Sequence, residues 1–498
     1  MMQDGISDNE GTNPESTARV LGTMVVLAGA VAVFATDNYV TASLLPSVLS
    51  DVGGERYFAW TATAFLVSSV FAALLISKVL TRFATRGAVL IGLTVFGVGT
   101  ALCALSPSIW VLLAGRLVQG LGGGLMSGVS LAAMRMVLPE RLWGRMLAVI
   151  SLMWAVGNVA GPALGGVFAE LHAWRWGFGV MVAASVVIGL VAVRSLPAGG
   201  ETGQARDQPA DGAAAEPWPA GSLVLVTVGA AAVSLAGIVP KGAATGAMIA
   251  LGAALIAAFL RHERHATDRI LPALTYARGS RLRWYYLGIA GLTIGVTAET
   301  FIPLFGQRLA GLTPLSAGFL GAALSMGWSA AQLATSRITG EAAVRRFRVA
   351  APAVVAVGLA LTAAGQHAHA GGGAVALWVV TLAVTGAGIG MGFARFAFPV
   401  MSSIEDAAEA TKAAAGLNVV QVIAGTFGSA LGGVLVNVGA PSDQDSARLL
   451  YGGLAVLALV GLAAGIRTAS RSGSSVVGTA AAEPAAEVAA AESVPAAA

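Results

Sequence analysis

Three ionisable side chains, Asp37, Arg116 and Glu299, stand within long apolar stretches of this 498-residue chain. Asp37 has 17 uncharged residues before it and 13 after it. At 1.5 Å per helical residue it lies roughly 20 Å from the helix end near Ser50, with Arg116 roughly 12 Å and Glu299 roughly 11 Å below the same-facing ends of their own helices. An ionised Asp at the centre of a bilayer costs about 2.5–3.5 kcal/mol on insertion scales, so such a group must face a cavity or a partner. Asp37 and Arg116 have depths that allow an ion pair if their helices are neighbours. The chemistry these groups can do is proton exchange. Desolvation favours a neutral carboxyl and a nearby guanidinium favours the ionised one, so a movement that changes either changes proton occupancy. Each proton moved down 100 mV supplies about 2.3 kcal/mol, enough to drive a solute uphill. The alternative is that the three groups only fix helix packing.

The elements that position them are membrane helices. The chain is 56% hydrophobic and 11% charged, against roughly 25% charged in soluble domains. Apolar stretches of about 20 residues, each long enough to cross a hydrocarbon core, recur along its whole length. Charged or Pro/Gly-rich breaks divide it into fourteen candidate spans, the seventh and eighth near 219–239 and 243–260, which could instead form one re-entrant hairpin. With both termini cytosolic, 22 Lys and Arg fall on the cytosolic side and five (Arg56, Arg175, Lys241, Arg308 and Arg448) on the other. Arg116 and Arg395 lie within spans, and Arg395 is close enough to the cytosolic end to snorkel. A wrong count would scramble this bias. The first 18 residues carry acidic groups and no basic leader, which indicates a retained cytosolic tail. Residues 197–217 and 470–498 have the composition of an unstructured linker and tail.

Glycine is concentrated where helices must approach closely. In GNVAGPALGG (157–166), Gly157, Gly161 and Gly165 share one helix face, as do Gly120, Gly124 and Gly128 on the preceding span. Small faces of this kind let membrane helices pack backbone to backbone. Pro162 would free the carbonyl of Asn158, which membrane helices tolerate where neighbours satisfy it. GPALGGV (161–167) returns as GSALGGV (428–434), with Ser429 in place of Pro162. Glu299 answers Asp37 in the same loose repeat. Together these point to two parallel six-helix repeats, an arrangement typical of secondary transporters.

Other chemistry finds little support. The chain has one cysteine, Cys103, and so no internal disulfide, and its five histidines include only His367-x-His369 as a close pair. No catalytic residue and no metal ligand is assigned. No G-x-x-x-x-G-K-[ST] phosphate loop is present, which disfavours direct ATP drive. RHERHATDR (261–269) is a solvated helical extension, and the net charge of +4 is one of topology rather than of nucleic-acid binding.

The sequence resembles the major facilitator superfamily, specifically its fourteen-span drug:proton antiporter branch, over residues 20–470. LLAGRLVQGLGGG is similar to that family's R-x-x-Q-G motif through Arg116, Gln119 and Gly120. GNVAGPALGG is similar to the antiporter motif G-x-x-x-G-P-x-x-G-G through Gly157, Gly161, Pro162, Gly165 and Gly166, a mark of exporters. Trp174-Arg175-Trp176 resembles the W-R-W that opens helix 6. Gln307, Gly311, Pro314, Ala317 and Gly318 resemble a pattern between helices 9 and 10. The loop between helices 2 and 3 departs from the family, with Ser77 and Ala84 for two glycines and Thr81 for an acid. Val420 and Gln421 replace an R-Q pair.

The resemblance implies an all-α polytopic protein of 14 transmembrane helices, two six-helix bundles of the major facilitator fold plus two linker helices. Its parts would be a cytosolic tail (1–19), an N-terminal bundle (20–196), a linker with two inserted helices (197–281), a C-terminal bundle (282–469) and a disordered tail (470–498). The expected function is export of small amphipathic compounds, drugs or antibiotics, in exchange for protons by alternating access. The alternatives are a dedicated metabolite or siderophore exporter, or a membrane receptor. Asp37, Arg116 and Glu299 would couple protons. Tyr39, Trp154, Phe301 and Gln307 would line the substrate cavity. The proton-motive force would take the place of a cofactor, and a monomer in the cell membrane would suffice.

Overall fold

The computed structural model describes residues 14–196, 220–266, 269–338, 340–402, 404 and 407–470. The linker at 197–217 and the tail from 471, expected to lack structure, lie outside the described residues, as do residues 1–13 of the expected N-terminal tail. The first helix begins at Pro14, and its membrane-length apolar stretch begins at Arg19.

All regular elements among the described residues are helices. In order they are α1 (Pro14–Val52), α2 (Phe58–Ala104), α3 (Ile109–Val137), α4 (Glu140–Glu170) and α5 (Trp174–Ser195), then α6 (Ala220–Ala236) and α7 (Ala243–His265). There follow α8 (Leu282–Val296), α9 (Ile302–Ala310), α10 (Pro314–Thr335), α11 (Glu341–Ala364), α12 (Gly372–Ser402), α13 (Ala407–Gly439) and α14 (Asp443–Ala469). One group packs α1 to α5 together and a second packs α8 to α14. They meet along two seams, α4 against α10 and α2 against α13. The α6–α7 hairpin lies against α13 and α2.

Among the described residues ten helices are long and apolar enough to cross a membrane, or eleven when the bent pair α8–α9 counts as one. The expected fourteen are therefore not all recovered by length and hydropathy. Helix α6 has 17 residues, and α10 is dominated by Gly, Ala and Ser. An apolar surface matters less on α10 because it packs on α12 on one side and α4 on another.

Close packing follows the glycines. A methyl group at Gly99 would lie 2.2 Å from the backbone nitrogen of Gln119, and one at Gly386 would lie 1.8 Å from the carbonyl oxygen of Leu324. Backbones that approach this closely gain dispersion contacts that do not depend on water. At one end of the bundle, Asp51 in the last turn of α1 accepts from Trp174 Nε1 at 3.0 Å and Arg175 Nη1 at 2.8 Å. These bonds bind the start of α5 to the end of α1, which gives the W-R-W triplet a structural part.

Two expectations change. Arg395 does not snorkel. It is 9% exposed, donates from Nη1 to Thr335 Oγ1 at 3.1 Å and from Nη2 to the Thr335 carbonyl at 2.5 Å, and packs on the Phe347 ring. It caps the carboxyl end of α10, where a cation is favoured by the unsatisfied carbonyls. The second concerns the departure at Ala84: the expected second and third spans are two helices that meet within α2 at a non-helical kink there, φ 54° and ψ 179°. That conformation belongs to glycine, so alanine there is strained by about 1–3 kcal/mol. The missing glycine noted in the sequence therefore has a physical consequence. We expect Ala84→Gly to stabilise the protein by about 1 kcal/mol after the added chain entropy of glycine, read as a higher thermal-unfolding midpoint in detergent.

Candidate functional site

Asp37 sits on α1 with no exposed surface, Arg116 and Gln119 face it from α3, and both segments of α2 complete the enclosure. Arg116 Nη1 donates to Asp37 Oδ2 at 3.0 Å and to Thr41 Oγ1 at 3.3 Å. Its Nε donates to the Thr61 carbonyl at 3.3 Å, and its guanidinium lies 4.3 Å above the Phe65 ring. Gln119 Nε2 donates to Asp37 Oδ1 and to Thr100 Oγ1, both at 2.8 Å, while its Oε1 accepts from Arg116. The spacing i, i+3 of Arg116 and Gln119 puts both on one helix face, and that is the physical content of the R-x-x-Q pattern. Both oxygens of the carboxylate are met. Such a desolvated pair is held when the carboxylate's oxygens are met in this way.

The glycines of the span 5 motif, now on α4, build the wall behind this pair. Added methyls at Gly157, Gly161 and Gly165 would strike Ala35, Tyr39 and Val40 of α1. Gly166 faces the other group of helices, 2.4 Å from where a methyl would meet the Leu315 Cα on α10, and Pro162 packs against Gly318 of α10. The second repeat does the same. Gly428 and Gly432 lie against Thr297 and Phe301, and Gly433 lies against Ala59 of α2. Ser429, in the place of Pro162, is 1% exposed and its hydroxyl has no partner. The pattern around Gly318 is legible too: Gly311 ends α9 with φ 61° and Pro314 opens α10.

Glu299 is not part of the Asp37 cluster. It lies on a 3-10 turn, Thr297–Thr300, between α8 and α9, whose axes differ by 43°. Ser325 of α10 donates to its Oε1. Tyr39 Oη of α1 stands 3.3 Å from Ser325 Oγ. Tyr39 and Glu299 are partly exposed, whereas Ser325 is 3% exposed. Trp154 is half exposed and meets Phe34 edge-on. Phe301 is fully buried, its ring centroid 5.4 Å from that of Phe58 across the α2 seam. It therefore seals helices together and lines no open cavity in this conformation. Gln307 lines a cavity of about 560 Å³ at the Asp51 end, bounded by Pro46, Glu55, Arg308, Asn437 and Asp443.

That end is held shut across the two groups of helices. Arg308 of α9 pairs with Glu55 at 2.6 Å and Asp443 at 3.1 Å. Asn437 donates to the Arg56 carbonyl at 3.1 Å, and the Leu315 amide donates to Glu170 at 3.3 Å. At the other end of the hairpin α6–α7, buried Glu263 accepts from Ser222, from the Ile270 amide at 3.1 Å and from Tyr276 at 3.0 Å. Burial first, and Glu263 second, push the Tyr276 hydroxyl well above the usual range, so it stays a donor. Sequence reasoning missed Ser325, the double pairing of Arg308 and the Glu263 corner.

Comparison with known proteins agrees with this geometry. Residues 27–433 match the sequence profile of the Major Facilitator Superfamily. The chain belongs to that superfamily. It is 40% identical over 461 residues to a probable multidrug-efflux transporter of Mycobacterium tuberculosis, covering 93% of this chain and 97% of the relative. A vacuolar membrane amino acid uptake transporter of Schizosaccharomyces pombe is 32% identical over 175 residues, 35% of this chain and 30% of that one. Among solved structures, a D-xylose–proton symporter superposes with TM-score 0.62 at 15% identity, over 90% of this chain and 96% of that one. An autoinhibited peptide transporter does so with TM-score 0.62 at 15% identity, over 92% and 99%. As a member of the Major Facilitator Superfamily the protein is a multi-pass membrane transporter.

Two outcomes follow for this superfamily member. Arg116→Ala strands a buried carboxylate and is expected to lose about 3–5 kcal/mol, read by thermal unfolding in detergent. The double variant Asp37→Asn/Arg116→Gln should recover most of that loss. Gly166→Leu should hold α4 away from α10 and speed alkylation of a cysteine placed at Ser47 several-fold. Gly179→Leu should leave that rate unchanged, because only Trp176 lies near.

Proposed function

We propose that this transporter exports small amphipathic molecules, drugs or antibiotics among them, in exchange for protons by alternating access. The observation that carries this reading is the buried Asp37–Arg116–Gln119 cluster, which sets on α1 a carboxylate whose partners a helix movement would change. The glycine face of α4 packs on that same helix, and α4 also forms a seam with the other group of helices. A shift of α4 along α10 would move α1, and with it the environment of Asp37. That is the coupling an antiporter needs: proton occupancy must change when the seam opens and closes. Likeness to a probable multidrug-efflux transporter supports export of diverse compounds.

In this reading fourteen spans cross the cell membrane with both termini in the cytosol, as two six-helix halves and the inserted α6–α7 pair. The Asp51 end faces outward and is closed. The proton-motive force drives the cycle in a monomer, and no cofactor takes part. Asp37 and Arg116 form the proton switch, and Glu299 is a second carboxylate that binds a proton or a cationic solute. Partly exposed Tyr39 and Trp154 contribute the aromatic surface.

The test is a panel of compounds applied to inverted vesicles containing a pH-sensitive dye. Substrates should release protons from wild-type vesicles, and the panel shows whether one compound or many are moved. Asp37→Asn at equal expression should abolish pH-gradient-dependent efflux. Efflux at the wild-type rate in that variant would remove Asp37 from the mechanism.

A further inference from the structure

Tyr39, Ser325 and Glu299 form a chain of two hydrogen bonds that crosses from α1 in one group of helices to α10 and the α8–α9 turn in the other. Ser325 is its middle member, and a hydroxyl has one proton to give. While Glu299 is ionised it can only accept, so the Ser325 proton points at Glu299 and Tyr39 must donate to Ser325. When Glu299 gains a proton it can donate to Ser325, Ser325 can turn to donate to Tyr39, and the phenol proton is released from the chain. Nothing but one proton from solution is added, and both bonds are kept with their directions reversed. Glu299 forms no ion pair among the described residues, and Tyr39 is the titratable side chain set against it from α1.

We propose that Ser325 is a positioning residue that carries the protonation state of Glu299 across the seam to Tyr39. The phenol is then an occupied donor when Glu299 is ionised and a free donor when Glu299 is protonated. Because Tyr39 keeps part of its surface open, the freed hydroxyl can bind an acceptor group of a solute. A carboxylate that suits a cationic solute thus alternates with a phenolic donor that suits a neutral or acceptor-rich one. This inference rests on the reading of Glu299 as a proton-exchanging group, and the test separates the two.

The test is pH-titrated infrared difference spectroscopy of the purified full chain, without substrate. The protonated-carboxyl band is assigned with Glu299→Gln, and the phenol C–O band with Tyr39→Phe. The wild-type phenol band should shift over the same pH interval in which the Glu299 band appears. In Ser325→Ala the Glu299 band should still titrate, with its midpoint moved up by about one unit for loss of a donor to the charged form. The phenol band should no longer follow it. Ser325→Thr, which keeps the hydroxyl, should restore the coupling. If Glu299→Gln removes no titrating band, the proton-exchange reading and the relay both fail. If Glu299 titrates but the Tyr39 band follows it equally in Ser325→Ala, the relay alone is overturned. Tyr39→Phe supplies a second check, since it should move the Glu299 midpoint in wild type and have no further effect in Ser325→Ala.

Discussion

A carboxylate and a guanidinium removed from water can share an apolar interior only if each remaining proton and lone pair finds a partner. That constraint sets the architecture around Asp37. Its two oxygens require Arg116 and Gln119 on one face of α3. The donors and acceptors left over require Thr41 on α1 and Thr61 and Thr100 at two distant points of α2. The Phe65 ring covers the guanidinium from the remaining side. Three helices are thereby fixed in register by one buried charge, and small residues between α2 and α3 let the backbones close around it.

The glycine motifs do a different job. In each repeat the G-x-x-x-G glycines face the first span of their own group, α1 for Gly157 and Gly161 on α4, and the turn between α8 and α9 for Gly428 and Gly432 on α13. A further glycine faces a helix of the other group, Leu315 of α10 for Gly166 and Ala59 of α2 for Gly433. The likeness of GPALGGV and GSALGGV is thus a likeness of contacts. Where the repeats differ, so do the contacts: Pro162 packs on Gly318, while Ser429 leaves a buried hydroxyl without a partner.

Much of this was legible in the residues. Asp37 and Arg116 are conspicuous because ionisable groups are rare in apolar runs, and depths within a long side chain's reach of each other made a pair possible before the helices were known to be neighbours. The glycine faces followed from helical spacing alone. Ser325 was invisible, being one small polar residue in a run of small residues, GAALSMG, that gives no sign of what faces it. The double pairing of Arg308 was hidden for another reason, since Glu55 lies 253 positions away in sequence and on a different group of helices. The break between the second and third spans was legible and falls at Ala84, whereas the break of the ninth span at Glu299 was not, because local backbone geometry there answers to tertiary contacts rather than to hydropathy.

The α6–α7 hairpin gives the two seams different surroundings. Helix α6 runs beside Gly433 and Phe427 of α13, and its Ser234 carbonyl accepts from Trp60 of α2 at 3.1 Å. Lys241 at the hairpin turn reaches the Val438 carbonyl of α13 at 3.0 Å. The α2–α13 seam therefore has a flank of protein, and the equivalent α4–α10 seam has no such cover from the hairpin. A near-symmetric pair of sliding contacts has become a handed one, with the inserted helices riding on α13 and only lightly hydrogen-bonded to α2. The two seams thus present unequal surroundings, and the one the hairpin leaves bare is lined by the proline that the second repeat lacks.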